Sequence, residues 1–407
     1  MNGGFSPQRL DHISRFIQAR YVDSGAIPGA LTLIWRRGAV RHLGVSGVID
    51  LARSRPMHPD AIFRIYSMTK PLTAVALLML MEEGAVALDD PVHRFIPGFA
   101  HLPVYAGGTL DEGFRTLPAP RAMTVLDLMR HTSGLTYGIH NRTELDAAYR
   151  KLAIAEMYSD GGLAAMIAQL EKLPLEFVPG TTWNYSVSSD VIGYLVERIA
   201  GVSFGTFIRR RILGPLGMHD TDFQVAADKR ERLAACYYAK DGKLYLWDYS
   251  ENSTFLAPPK LESGGAGLVG TAQDYLRLCR MLLGGGTLDG VQLLSPKSVA
   301  LMTMNHLPGG AEMTAMMPPT ASFNESGYSG VGFGLGVGVT VNLAHAALPG
   351  TVGEYFWGGA ASTYFFADPK EDLAVVFMTQ VLSAPERVRL RRDLRTLVYG
   401  AMTESYG

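Results

Sequence analysis

Residues 67–84 read as a helix that is apolar on nearly every side and ends at Gly84, with charge only at Lys70, Glu82 and Glu83. Such a helix has no face to offer water, so it must be enclosed. Its longest apolar run, residues 74–81, falls far short of the ~20 residues a membrane span needs. The enclosure must therefore come from the rest of the chain. The material is there: 407 residues, 47% apolar and 18% charged, against a usual charged share of about a quarter. The length predicts two domains or one large elaborated one.

The elements that could surround this helix follow from periodicity. Residues 8–24 form an amphipathic pattern, and β-rich segments on either side of Arg37-Gly38 predict a hairpin. From about 86 to 244 the pattern is mostly helical, with helices predicted over 126–129, 144–157, 163–173, 189–200 and 204–213. Thr271 is placed to cap a helix over 271–283. Residues 331–341 alternate with glycine and read as strand. Two more strands are predicted over 362–367 and 373–379, parted by a turn at 368–372, and a basic amphipathic helix closes the chain. Strands at both ends with helices between predict one sheet built from the two termini and a helical insertion. This places residues 1–85 and 245–407 in an α/β domain and 86–244 in a mostly helical one.

Two serines compete for a catalytic role. Ser203 stands in Gly201-Val202-Ser203-Phe204-Gly205, a G-x-S-x-G string. That motif works on a sharp strand-to-helix turn. Here Val191, Ile192, Leu195, Val196 and Ile199 share one helical face, so a helix leads in. Gly201 fits the residue after its end, and Ser203 fits the cap of the next helix. The match is read as a decoy.

Ser67 opens the enclosed helix, and Lys70 lies three residues on, so both project from the same face of the first turn. A helix N-terminus favours developing negative charge, and its free N–H groups can serve an oxyanion. An amine within reach of the hydroxyl can take its proton. The plain alternative is a capping serine and a lysine reaching for solvent, but a lysine at the mouth of an enclosed helix needs a partner. An ordinary lysine titrates at about 10.4, so bringing it to neutrality at pH 7 takes roughly 4 kcal/mol of differential interaction. Burial can supply this, or a tyrosine of similar proton affinity can share the proton.

This pattern resembles the serine β-lactamase and penicillin-binding-protein superfamily. Within it the chain looks most like the family VIII carboxylesterases related to class C β-lactamases, over nearly its whole length. Ser67-Met68-Thr69-Lys70 matches the first motif, Tyr185-Ser186-Val187 the second, and Trp357-Gly358-Gly359 the third. The segments from His131 to Leu135 and from Gly264 to Leu268 resemble further landmarks, read as turns and packing. The resemblance implies a β-lactamase/transpeptidase-like fold, α/β plus α, with an antiparallel sheet flanked by helices and the active site at the interface of the two domains. It implies Ser67 as nucleophile, Lys70 and Tyr185 as the proton-transfer pair, and the backbone N–H groups of Ser67 and Ala360 as the oxyanion hole. Trp357, Gly358, Gly359 and Val187 would line the substrate site, the glycines by letting substrate approach a strand edge.

Two departures bear on the substrate. Tryptophan in place of lysine at 357 removes a cation suited to a substrate carboxylate, and Val187 in place of asparagine removes an amide. Both favour neutral short to medium acyl esters. The alternatives are an acyltransferase of the same fold, a weak β-lactamase or D-Ala peptidase, and a non-enzymatic scaffold that kept the fold. No metal or cofactor is implied. A net charge of −1 offers no footprint for nucleic acid. The basic clusters at 209–211 and 387–395 are read as solvated helix faces. The methionines at 302, 304, 313, 316 and 317 are read as core filling. Two cysteines and an N-terminus without an apolar leader set the expectation of a cytoplasmic location, without membrane association; nothing fixes an oligomeric state.

Overall fold

The computed structural model describes residues 3–318 and 327–406. Eight strands form one antiparallel sheet in the order Val331–Phe333, Gly338–Thr340, Tyr355–Gly358, Tyr364–Asp368, Leu373–Met378, Gly29–Arg36, Ala39–Asp50, Arg55–Pro56. The termini meet in its middle. Leu31 faces Met378 and Arg36 faces Leu373 across the join. Every residue of Gly29–Arg36 and of Leu373–Met378 is buried, as covered central strands require. The hairpin turns at Arg37 and Gly38, both with positive φ, the pair a two-residue type I′ turn demands.

Helices cover the sheet. Ala272–Leu283, capped by the Thr271 hydroxyl accepting from the Asp274 N–H, packs on the two central strands. Pro7–Ile17 and the closing helix Arg387–Gly400 pack together. The enclosed helix runs Thr69–Glu82, and every residue from Thr69 to Leu80 is buried. Its main helical partners are Ser188–Ala200 and Phe204–Ile208. Among the described residues, no single helix is long and apolar enough to cross a membrane.

Between 86 and 244 the chain is mainly helical, with two departures. Val104–Thr109 and Gly113–Leu117 form a hairpin whose glycines and exposed residues hide the strand pattern. A second hairpin, Cys236–Lys240 with Lys243–Asp248, straddles the expected boundary at 244/245. Its first strand joins Val381–Leu382 in parallel, so it belongs structurally with the C-terminal region. The helix expected over 144–157 stops at Lys151.

The closing helix corrects the reading of 387–395 as a solvated basic face. Arg391 and Arg395 are only 1% and 4% exposed. Arg395 is ion-paired with buried Glu354, which also accepts from Thr340 Oγ1 and the Tyr399 hydroxyl. Arginine buries well because its planar fork can satisfy several acceptors at once. The 209–211 cluster keeps partial exposure and pairs with Asp222, Glu262 and Glu83. Met302 and Met313 are in the core, while Met304 is exposed.

Candidate active site

Ser67 sits in a 3-10 turn, Tyr66–Met68, that feeds directly into the enclosed helix. Tyr66 has φ +42°, the left-handed region that a bulky residue enters only under constraint. Its ring is held edge-on against Phe255, 6.4 Å between centroids. The strained residue thus stands directly before the serine, a common location for stored strain.

Lys70 is 1% exposed and its amine is surrounded by acceptors. Nζ donates to Ser67 Oγ at 3.3 Å, to the Tyr137 hydroxyl at 3.4 Å and to the Gly265 carbonyl at 2.8 Å. It also lies 4.5 Å from the centroid of the Tyr185 ring. The neighbouring serine and amine therefore lie against the ring of Tyr185, which is distant in the chain. A neutral amine has two N–H groups and one lone pair. Once deprotonated, an amine that keeps its N–H groups on Gly265 and Tyr137 can turn its lone pair to Ser67.

Two members of this cluster were missed from sequence. Tyr137 lies two residues past the His131–Leu135 landmark but is one of 18 tyrosines. Asp190, on the Ser188–Ala200 helix, accepts from Ser263 Oγ, from the Gly265 N–H at 3.1 Å and from Tyr137 at 3.5 Å. Burial pushes the Asp190 carboxyl up, against the opposing pull of Ser263, Lys70 and Gly265. Burial, then the Asp190 and Tyr185 neighbours, push Tyr137 well above the ordinary phenol, so it stays protonated. The Gly264–Leu268 turn also does more than pack: one of its carbonyls holds the amine.

Tyr185 is 2% exposed and caged by aromatic rings. His131 stands 4.9 Å away, Tyr137 5.4 Å and Trp357 5.6 Å. Trp357 Nε1 donates to the Tyr185 hydroxyl at 3.4 Å. His140 bonds the Tyr185 carbonyl, and His131 bonds Ser186. Burial, helped by the Lys70 charge, drives the His131 imidazole well below its usual value, so it is neutral.

The expected substrate-lining residues stand differently. Trp357 is fully buried, stacked on Tyr328 and edge-on to Phe333, so it supports Tyr185 from behind instead of forming an open wall. Val187 is also fully buried, and its N–H donates to Thr136 in the turn before the Ser188 helix. Gly358 and Gly359 have packing reasons to be glycine. A Cβ at 358 would overlap the Arg391 guanidinium, and one at 359 the Ile65 carbonyl and Thr363 Oγ1. The same close approach brings the Gly359 turn against the backbone leading into Ser67. Ala360, the next residue, is partly exposed, and among the described residues its N–H has no protein partner. Ser203 accepts from the Thr206 N–H as a helix cap, after Gly201 in the left-handed conformation, as the sequence predicts.

Comparison with known proteins places this geometry. The Beta-lactamase family model matches residues 15–399. Protein Rv1367c of Mycobacterium tuberculosis is 39% identical over 88% of this chain and 87% of its own length. Esterase EstB of Burkholderia gladioli is 30% identical over 89% of each chain. Among solved structures, EstCE1, a hydrolase with promiscuous acyltransferase activity, superposes with a TM-score of 0.78 at 27% identity, covering 97% of this chain and 99% of that one. Simvastatin synthase (LovD) of Aspergillus terreus gives 0.80 at 25% identity, covering 97% and 99%. The match spans the sheet, the enclosed helix and the insertion alike, and so the chain belongs to the beta-lactamase family.

Proposed function

We propose that the protein is a serine carboxylesterase of Ser-Lys-Tyr type acting on neutral, short to medium acyl esters. The observation that carries this is the Lys70 amine, buried and within hydrogen-bond distance of Ser67 Oγ, the Tyr137 hydroxyl and the Gly265 carbonyl. In the reaction, Ser67 Oγ loses its proton to the Lys70/Tyr185 pair as it bonds to the ester carbonyl carbon. The carbonyl electron pair collects on oxygen, between the N–H groups of Ser67 and Ala360. On collapse the C–O bond to the alcohol breaks, and Tyr185 returns the proton to the leaving alkoxide. Water, deprotonated by the same pair, then releases the acid from Ser67. The indole donor on Tyr185 stabilises its oxygen when it carries negative charge.

The site draws Tyr137, Tyr185 and Asp190 from the helical region and Ser67, Gly265 and Trp357 from the sheet region, which supports an active site between the two domains. The absence of a lysine at 357 favours uncharged esters over substrates with a carboxylate. Ser67→Ala is expected to abolish turnover of a short-chain nitrophenyl ester while Ser203→Ala retains it. Full turnover by Ser67→Ala would end the assignment. Relatives named as acyltransferases favour one second reading, transfer of the acyl group to an alcohol. Product analysis with a competing alcohol separates the two, since transfer yields a new ester at the expense of free acid.

A further inference from the structure

The closing helix sends Arg391 into the core behind the Trp357-Gly358-Gly359 strand end. Its Nη2 donates to the Gly359 carbonyl at 3.2 Å and to the Thr363 carbonyl at 2.8 Å. The same two carbonyls close the turn between them: Ser362 N–H donates to Gly359 and Gly359 N–H to Thr363. One guanidinium nitrogen therefore clamps both ends of the turn that carries Ala360. Only glycine at 358 leaves room for it.

The Gly359 carbonyl and the Ala360 N–H are the two ends of one peptide group. A charged donor on the carbonyl fixes the plane of that peptide and draws electron density from its nitrogen, which strengthens the N–H as a donor. We infer that Arg391 is a positioning residue of the oxyanion hole, orienting and polarising the Gly359–Ala360 peptide from the face opposite the substrate. The inference rests on the reading of Ala360 as an oxyanion donor. Arginine suits the task because the planar guanidinium holds both N–H bonds of Nη2 in fixed directions, one to each carbonyl, whereas a lysine ammonium on a flexible stem does not fix them.

The test compares a nitrophenyl ester with its thiono analogue, whose sulfur accepts hydrogen bonds poorly. The ratio of kcat/KM for oxygen over sulfur reports oxyanion-hole strength and is independent of the fraction of folded enzyme. Arg391→Lys and Arg391→Gln are both measured, so one soluble variant suffices. Weakening one donor, where removing one costs about 10²–10³ in kcat, is expected to lower the ratio about 3- to 10-fold, with kcat falling and KM within about twofold. Lysine is expected to fall between wild type and glutamine. A wild-type ratio in a folded Arg391 variant overturns the inference. Ala360→Pro, which deletes the N–H itself, separates the two claims. If Ala360→Pro lowers the ratio and the Arg391 variants do not, the clamp is wrong while the hole stands. A wild-type ratio in folded Ala360→Pro overturns the hole and the clamp with it.

Discussion

Replacing Tyr137 by phenylalanine tests which phenol serves Lys70. The ring stays, filling its buried space, and only the hydroxyl is lost. That oxygen accepts from Lys70 at 3.4 Å and donates to Asp190 at 3.5 Å, both near the limit for a hydrogen bond. Contacts this long rank at the low end, about 0.5 kcal/mol each and about 1 kcal/mol together, which is roughly fivefold in rate if it is all expressed in the transition state. The expected loss is therefore about fivefold in kcat, with KM within about twofold. Tyr185→Phe, removing the phenol assigned to proton transfer, is expected to cost about 10²–10⁴. Both are read from kcat and KM on a nitrophenyl ester across pH 6–9, with circular dichroism as the check on folding. A Tyr137→Phe enzyme as impaired as Tyr185→Phe would transfer the base role to Tyr137. One with unchanged kcat would refute the anchoring argument.

Three further outcomes are expected. Ser203→Ala removes a helix cap and costs about 1 kcal/mol in denaturant unfolding without altering ester kinetics; a loss of activity would reopen the G-x-S-x-G string. Glu354→Ala strands a buried Arg395, leaves Thr340 Oγ1 without its acceptor and leaves the Tyr399 hydroxyl with Asp368 alone, a loss of about 3–5 kcal/mol, whereas Glu354→Leu with Arg395→Met recovers much of it; equal instability of the single and double variants would contradict the pairing. The imidazoles of buried His131 and His140 and of half-buried His306 are all pushed down by desolvation. Unfolding lets them take up protons that the folded state refuses, so their share of stability is present above the unfolded value of about 6.5 and is lost as pH falls below it. Urea midpoints should therefore drop from pH 7.5 to 5.5, less steeply for His131→Asn; an unchanged slope in that variant would exclude His131 from the effect.

The enclosed helix was legible because its pattern leaves no face for water, whatever surrounds it. The hairpin at Arg37-Gly38 and the caps at Ser203 and Thr271 were legible because each is set by neighbouring residues. Ser67 and Lys70 were legible for the same reason, since three residues on a helix fix a shared face. Tyr185 came only with the resemblance, because nothing local distinguishes it from other tyrosines. Tyr137, Asp190 and the Gly265 carbonyl were beyond the sequence. Each lies on a different element, and its closeness to Lys70 depends on how the helical region sits against the sheet. Arg391 was misread for a related reason: a basic run on an amphipathic helix looks solvated until the sheet supplies carbonyls for it. Thus the chain by itself determined the pairing of Ser67 with its neighbouring amine and the burial of the helix that carries them. Tertiary packing alone decided what that amine touches and what stands behind the Gly359–Ala360 peptide, because long-range contacts between polar groups leave no periodic trace in sequence.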